Sequence, residues 1–404
     1  MRLTISKKFE ISLSYRLYNP AWTEGKNREV YGQKVGTTHG FGGNFNLYTV
    51  FDGPVDPKTG MLINVVIVKE RIKRLLAERY DHKFLNRDTQ PFDTIVPTPE
   101  NIIRQIFKES APLFAGESAN LTACHLTLSP WDEATAYANG TIERHYLADF
   151  SAARRTYSPH LGDEENSRLF GIAASPSGHG HHYTLRVTLA DSVNAETGML
   201  TDDVIARRTI NDIVAEFDHR NITTDIPEFK SIPNTTECLA RYFYDRLSET
   251  LPVTRVKLHE NPWFYCEYTG NNHAVMGIET NFNAAHRLHS PKLSDSENCD
   301  IYGKCNNPAG HGHRYRVEAA FDGQIDRKTG MLYPLDIIVK SMSDILKDWN
   351  YKHLDADTGD FTDIPSTGEN IITILQNKIN ERIDYPMYRL RLWETPNNRF
   401  TLRR

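Results

Sequence analysis

One phrase is written three times in this chain: DPKTGML ends at Leu62, NAETGML at Leu200 and DRKTGML at Leu332. The copies lie 138 and 132 residues apart, an interval that belongs to repeated domains and not to the short stacked units of a solenoid. The same landmarks surround each copy in the same order. An alternating segment precedes it (FNLYTVFDG, YTLRVTLAD, YRVEAAFDG) and a helical pattern follows it (VVIVKERIKRLLAERY, VIARRTINDIVAEF, DIIVKSMSDILKDW). Next comes a Thr followed by Glu ahead of an apolar run, the signal of a capped helix start: TPENIIRQIF, TTECLARYFYDRL, TGENIITILQNKI. A strand pattern closes each copy: ACHLTLSP, VTRVKLHENPW, YRLRLWETPNNRF. The chain therefore reads as three modules, 1–139, 140–272 and 273–404, each strand-strand-helix-helix-strand-strand.

A four-stranded antiparallel sheet with two helices buries one face and leaves both edges open. Three such sheets placed side by side close into a barrel with the helices outside, which removes every edge. Three copies in one chain make that ring pseudo-threefold without assembly of separate subunits. The expected fold is α+β, a pseudo-threefold antiparallel β-barrel ringed by helices. Composition agrees with a globular enzyme-sized chain: 404 residues, 39% hydrophobic, 25% charged, net charge −5. No run approaches the ~18 apolar residues of a membrane span, and MRLTISKKFEISLSY alternates like a strand where a signal peptide would be apolar. The mild acidity argues against a general nucleic-acid surface. Five scattered cysteines suit reduced thiols in the cytoplasm better than a disulfide framework.

The chemistry concentrates in GKCNNPAGHGHRYRV, residues 303–317. His311 and His313, two apart on a strand, share one face. The preceding strand carries His286 in ETNFNAAHRL, which reaches the same face if the two strands pair antiparallel. Three imidazoles without a fourth protein ligand are the pattern of a catalytic zinc, with one position open for water or substrate. Cys305 is either a fourth ligand or a base whose pKa falls beside the cation.

FNAAHRL followed by YGKCNNPAGHGHRY resembles the 6-pyruvoyl-tetrahydropterin synthase family, which includes the 6-carboxy-tetrahydropterin synthases. The resemblance covers the third module and, more weakly, the other two. It implies the tunnelling fold, a barrel that stacks in pairs and hence a homodimer of this chain. It implies His286, His311 and His313 as zinc ligands and Cys305 as proton acceptor. Glu394 in LWETPNN matches the glutamate that grips the pterin ring, and Thr367 in PSTGEN a pterin-contacting position. The implied substrate is 7,8-dihydroneopterin triphosphate, from which triphosphate is eliminated. Alternatives are the 6-carboxy type of reaction, an aldolase-like reaction and a non-catalytic pterin-binding scaffold.

The chain departs from the family in an instructive way. The family's Asp-His relay, completed across subunits, is Asn350-Tyr351 in module three, whereas module one keeps Asp81-His82 and module two Asp218-His219. Module one has Tyr15, Phe41 and Gly43 where histidines would stand; module two keeps His179 and His181 but has Arg154 and Ala173 for the first ligand and the cysteine. A guanidinium cannot coordinate a metal, so no full zinc site is expected there. Module two also retains Thr235, Thr236, Glu237 and Glu260, the last at the pterin glutamate's position. That favours Asp218-His219 as the relay lent to module three, with Asp81-His82 second. Arg16, Arg155 and Arg287 follow the ligand position in each module and either steer triphosphate or simply end a strand.

Overall fold

Alternation along each strand gives the barrel wall two unlike surfaces. The computed structural model describes residues 1–404. In its first strand, Arg2–Tyr15, the odd-numbered Ile5, Phe9, Ile11, Leu13 and Tyr15 are buried against the outer layer, while Thr4 and Lys8 line the interior. Four such strands come from each module. Module one supplies Arg2–Tyr15, Phe41–Asp52, Asn120–Ser129 and Asp132–Tyr137; module two supplies Ile142–Arg154, His179–Ala190, Val253–Asn261 and Phe264–Tyr268; module three supplies His273–His286, His311–Gln324, Met387–Thr395 and Asn398–Arg403. All pair antiparallel in chain order. The last strand of one module pairs with the first of the next (Ala136 with Ile142, Glu267 with Val275), and Arg2 pairs with Arg403 to close the ring. The result is a closed barrel of twelve strands, and its edges are gone, as expected. Three two-residue strands, Lys83–Phe84, Arg220–Asn221 and Lys352–His353, lie parallel to the first strand of their own module.

Two helices per module cover the outside: Val65–Arg79 and Pro99–Ser110, Asp203–Ala215 and Thr236–Ser248, Leu335–Lys347 and Gly368–Arg382. Their apolar faces (Val68, Ile72 and Leu76; Ile102, Ile103 and Ile106) seal onto the strands. Each module also holds an eight-residue helix between its first two strands, Glu24–Tyr31, Asp163–Phe170 and Asp295–Tyr302, which the apolar periodicity does not mark. Caps mark it instead: Thr23 and Ser294 start two of the three, and a glycine with φ between 52° and 56° ends each one.

The repeated TGML phrase is the joint between modules. Asp56 Oδ1 accepts from the Lys58 and Thr59 amides at 2.7 and 2.9 Å, which folds DPKTG into a tight turn. The turn pushes Gly60 against module three: a Cβ there would lie 2.7 Å from Asn370 Nδ2 and 2.8 Å from Pro365 Cγ. Thr367 donates to Gly60 O at 2.7 Å and the Leu62 amide donates to Glu369 at 3.0 Å. The other joints repeat this pattern, Thr98 to Gly198 O at 2.6 Å and Thr235 to Gly330 O at 2.5 Å. Module one's turn therefore enters module three, module two's enters module one, and module three's enters module two.

Candidate metal centre

Register places the three histidines. His286 lies opposite His311, and Ala284 opposite His313, so all three rings stand on the outer surface of the wall. Their ligating atoms lie within 4.8 Å of one another. His286 is fully buried, and its Nδ1 donates to Ser366 O at 2.9 Å. That bond fixes the tautomer and leaves the Nε2 lone pair aimed inward, 3.2 Å from His311 Nε2. His311 Nδ1 and His313 Nε2 are buried without a hydrogen-bond partner. Burial, then the neighbouring His286 and His313, lowers the His311 pKa; burial also lowers that of His313. Three imidazoles brought this close, two of them with a buried nitrogen that has no partner, fit a zinc-type cation, and His286, His311 and His313 would hold one.

Cys305 reaches the centre through the eight-residue helix. The Ser294–Glu297 capping box starts that helix, Gly303 ends it, and the following turn carries the thiol. Leu288 N donates to Cys305 O at 3.0 Å, and Arg287 Nε donates to Asn306 O at 3.1 Å. Arg287 thus braces the cysteine loop. Cys305 is half-buried; burial, then the charge of Glu394, pushes its thiol pKa up, so it becomes a thiolate only beside a cation.

Two carboxylates complete the pocket. Glu394 Oε1 lies 3.8 Å from His286 Nε2, and Oε2 accepts from Asn398 at 3.2 Å. Glu369, buried in the first turn of its helix, has its pKa pushed up to about 7 by burial, with a further contribution from Glu394. Sequence reading took Glu369 only as part of a capping signal; the available clue was a glutamate at that place in every module (Glu100, Glu237, Glu369). Thr367 caps the helix, accepting from Asn370 N at 3.4 Å, and spends its hydroxyl hydrogen on Gly60 O. Its side chain serves the joint between modules.

The corresponding pockets of the other modules are filled. In module two His179, His181 and Glu260 also bring donor atoms within 4.8 Å, but Arg154 occupies the cation's place. Its guanidinium binds Glu260, donates to Asn234 O at 2.8 Å, and reaches Thr236 at 3.2 Å. Burial alone would raise the Glu260 pKa; Arg154 and the bonds from His181 and Thr236 hold it at about 2. In module one Tyr15 stands at the ligand position, and Arg144 plugs the pocket from module two. Arg144 pairs with Glu100 at 3.1 Å, Asp132 at 2.6 Å and Asp203 at 3.3 Å, and Arg207 adds Asp132 at 2.6 Å.

Neither Asp-His pair touches the metal centre. Asp81 accepts from Ser12 N at 2.8 Å and holds His82 Nδ1 at 3.0 Å; Asp218 accepts from Ser151 N at 2.9 Å and holds His219 Nδ1 at 2.8 Å. Both imidazoles are more than 80% exposed. Asn350 makes the same bond to Asn283 N at 2.9 Å in module three, so an amide serves the bracing role equally well. The module whose turn borders the three-histidine cluster is module one, through Gly60 and Leu62. The order of modules around the ring decides this, and residue retention carries no information about it.

A barrel wall bearing three imidazoles, a thiol and two carboxylates defines a candidate metal-dependent enzyme. A family model described as 6-pyruvoyl tetrahydropterin synthase matches residues 4–140, 142–271 and 276–404, and the chain belongs to that family, three times over. It is 42% identical over 120 residues to a 6-pyruvoyl tetrahydrobiopterin synthase of Drosophila melanogaster, covering 29% of this chain and 71% of the relative. The Homo sapiens protein of that name is 40% identical over 127 residues, covering 31% and 88%. A solved 6-pyruvoyl tetrahydropterin synthase of Caenorhabditis elegans is 39% identical and covers 33% of this chain and 96% of its own, with a TM-score of 0.32.

Proposed function

We propose that the chain is a zinc-dependent 6-pyruvoyl-tetrahydropterin synthase-like lyase with one active centre, in module three, that eliminates triphosphate from 7,8-dihydroneopterin triphosphate. The observation that carries this reading is the convergence of His286, His311 and His313, their ligating atoms within 4.8 Å of one another, beside Cys305 in one module of three. Bound there, zinc would supply Lewis acidity to the substrate's side-chain hydroxyls. Cys305 takes a proton from the carbon beside them and returns it to the neighbouring carbon. Glu394 accepts from the guanidine-like edge of the pterin. Glu369, poised near neutrality, either accepts from the ring or donates to it. The deep setting of His286 keeps the ligand set rigid and shields it from bulk water.

The solvent-facing rings of His82 and His219 support a second copy as the receiver of the relay, in a homodimer of stacked barrels. Five unpaired cysteines support a reducing cytoplasmic setting, and no helix is long and apolar enough to cross a membrane.

Zinc-loaded protein incubated with dihydroneopterin triphosphate should release inorganic triphosphate and a diketone-bearing pterin; no triphosphate release ends the proposal. Mixing a Cys305→Ala chain with a His82→Ala/His219→Ala chain should restore turnover that neither has alone. Two silent parents that stay silent when mixed would place the relay elsewhere.

A further inference from the structure

The inner surface of the barrel is chemically unlike the outer one. Two adjoining cavities of about 780 and 530 Å³ run inside the wall and meet at His125, Arg186 and Arg399. Twelve Lys and Arg side chains line them against three glutamates, in a chain whose net charge is −5. The excess is therefore local. Alternation separates this space from the metal centre: His311 and His313 face outward, while Arg314 and Arg316 on the same strand face the lumen.

Among the guanidiniums that line the cavities, Arg314, Arg399 and Arg403 form no ion pair, and of these three only Arg399 is withdrawn from the exposed surface. Glu133 takes Arg186 at 2.6 Å, Glu143 takes Arg255 at 3.4 Å, and Glu267 takes Arg389 at 2.7 Å. The buried Glu318 behind them takes Arg389 at 2.8 Å and Arg391 at 3.2 Å. Arg399 lines both cavities and forms no ion pair with any of them. The Nε–H groups of Arg186, Arg391 and Arg399 are all buried without an acceptor. Burial and the adjacent Arg391 push the Arg399 pKa down to about 9, as expected of a cation lacking its counter-charge. A desolvated, unpaired charge is unfavourable, and guanidinium forks with free N–H donors match phosphate oxygens.

We propose that the barrel lumen is a binding site for a multivalent inorganic oxyanion of the phosphate and polyphosphate class, centred on Arg399 and flanked by Arg186 and Arg391. The site lies on the opposite side of the wall from the metal centre and stands whether or not the catalytic reading holds. Its capacity exceeds one triphosphate, so the ligand is held by charge and not by shape. Nucleoside triphosphates carry the same phosphate chemistry, and the experiment separates the two sources.

Titration calorimetry with inorganic triphosphate on the full chain should give saturable binding that weakens steeply with salt. Arg399→Gln should weaken it at least about tenfold, the value of a hydrogen bond to a charged group. Arg399→Lys should keep part of the affinity, and His311→Ala/His313→Ala should leave it unchanged. Thermal unfolding guards against a variant that merely misfolds: without added anion, Arg399→Gln should melt no lower than the parent, because an unpaired charge is gone. With triphosphate the parent should gain stability and the variant little. No saturable binding, binding indifferent to Arg399→Gln, or binding lost in the histidine variant would overturn the proposal. Tighter binding of ATP than of inorganic triphosphate would overturn its assignment to an inorganic ligand.

Discussion

Modules two and three contain the same pocket with a different cation strategy. In module three the ligating atoms of His286, His311 and His313 lie within 4.8 Å of one another. In module two the first of these positions is Arg154, whose guanidinium lies against Glu260 and Thr236. One pocket gathers three imidazoles; the other has a cation attached to the chain. Module one goes further and takes its cation, Arg144, from a neighbour. The comparison teaches that buried carboxylates of this fold require a positive charge, and that a threefold ring stays intact when two of its three sites meet that requirement with arginine.

The largest expected effect isolates the chemistry of the third pocket. Cys305→Ala should lower turnover by about 10²–10⁴-fold, the usual contribution of a general base, and leave metal content unchanged. Full turnover in that variant would remove the thiol from the mechanism. The same change at Ala173, its counterpart in module two, needs no test, because the group is already missing there.

The next effect tests the arginine substitution directly. Arg154→Met leaves the buried Glu260 with only His181 and Thr236 as partners and no guanidinium, which should destabilise the protein by up to about 3–5 kcal/mol in denaturant unfolding. Arg154→His should behave differently. It rebuilds a three-histidine set with His179 and His181, so zinc content after purification should rise from about one to about two per chain. A value that stays near one means that something besides the guanidinium keeps metal out of module two.

These contrasts show what a one-dimensional reading can and cannot reach. The triple TGML phrase carries the fold, since each copy needs a glycine where two modules touch (Gly60 against Asn370 and Pro365) and such a joint recurs with every module. HGH beside FNAAHRL carries the three-histidine cluster, because alternation and antiparallel pairing bring those side chains to one face. The bordering of module three's site by module one was not legible: it depends on ring order, and the bonds that express it run to backbone groups such as Gly60 O and Leu62 N. The burial of Glu369 was hidden for a related reason. A glutamate in the first turn of a helix reads alike on a wet surface or under a neighbouring module. Likewise, lumen charge emerges only when alternate residues of twelve strands are gathered in one place.

Glu369 and Glu260 offer the finest test of the comparison, because the two pockets should respond to pH in opposite directions. In the metal-free protein Glu369 has a folded pKa of about 7 against an ordinary 4.5. The folded state then holds more protons than the unfolded state between those values, so stability falls as pH rises across that window. The full effect is about 3 kcal/mol at 1.36 kcal/mol per unit. Glu260, held at about 2 by Arg154, works the other way. Its contribution is complete above about 4.5 and is lost as pH falls toward 2. Glu369→Gln keeps an acceptor for Leu62 N and removes the charge, so subtracting its stability profile from that of the parent should isolate the upper window alone. A difference that is flat from pH 4.5 to 7 would mean that Glu369 already has its own counter-charge. The distinction drawn between an open pocket and a filled one would then fail at its most sensitive residue.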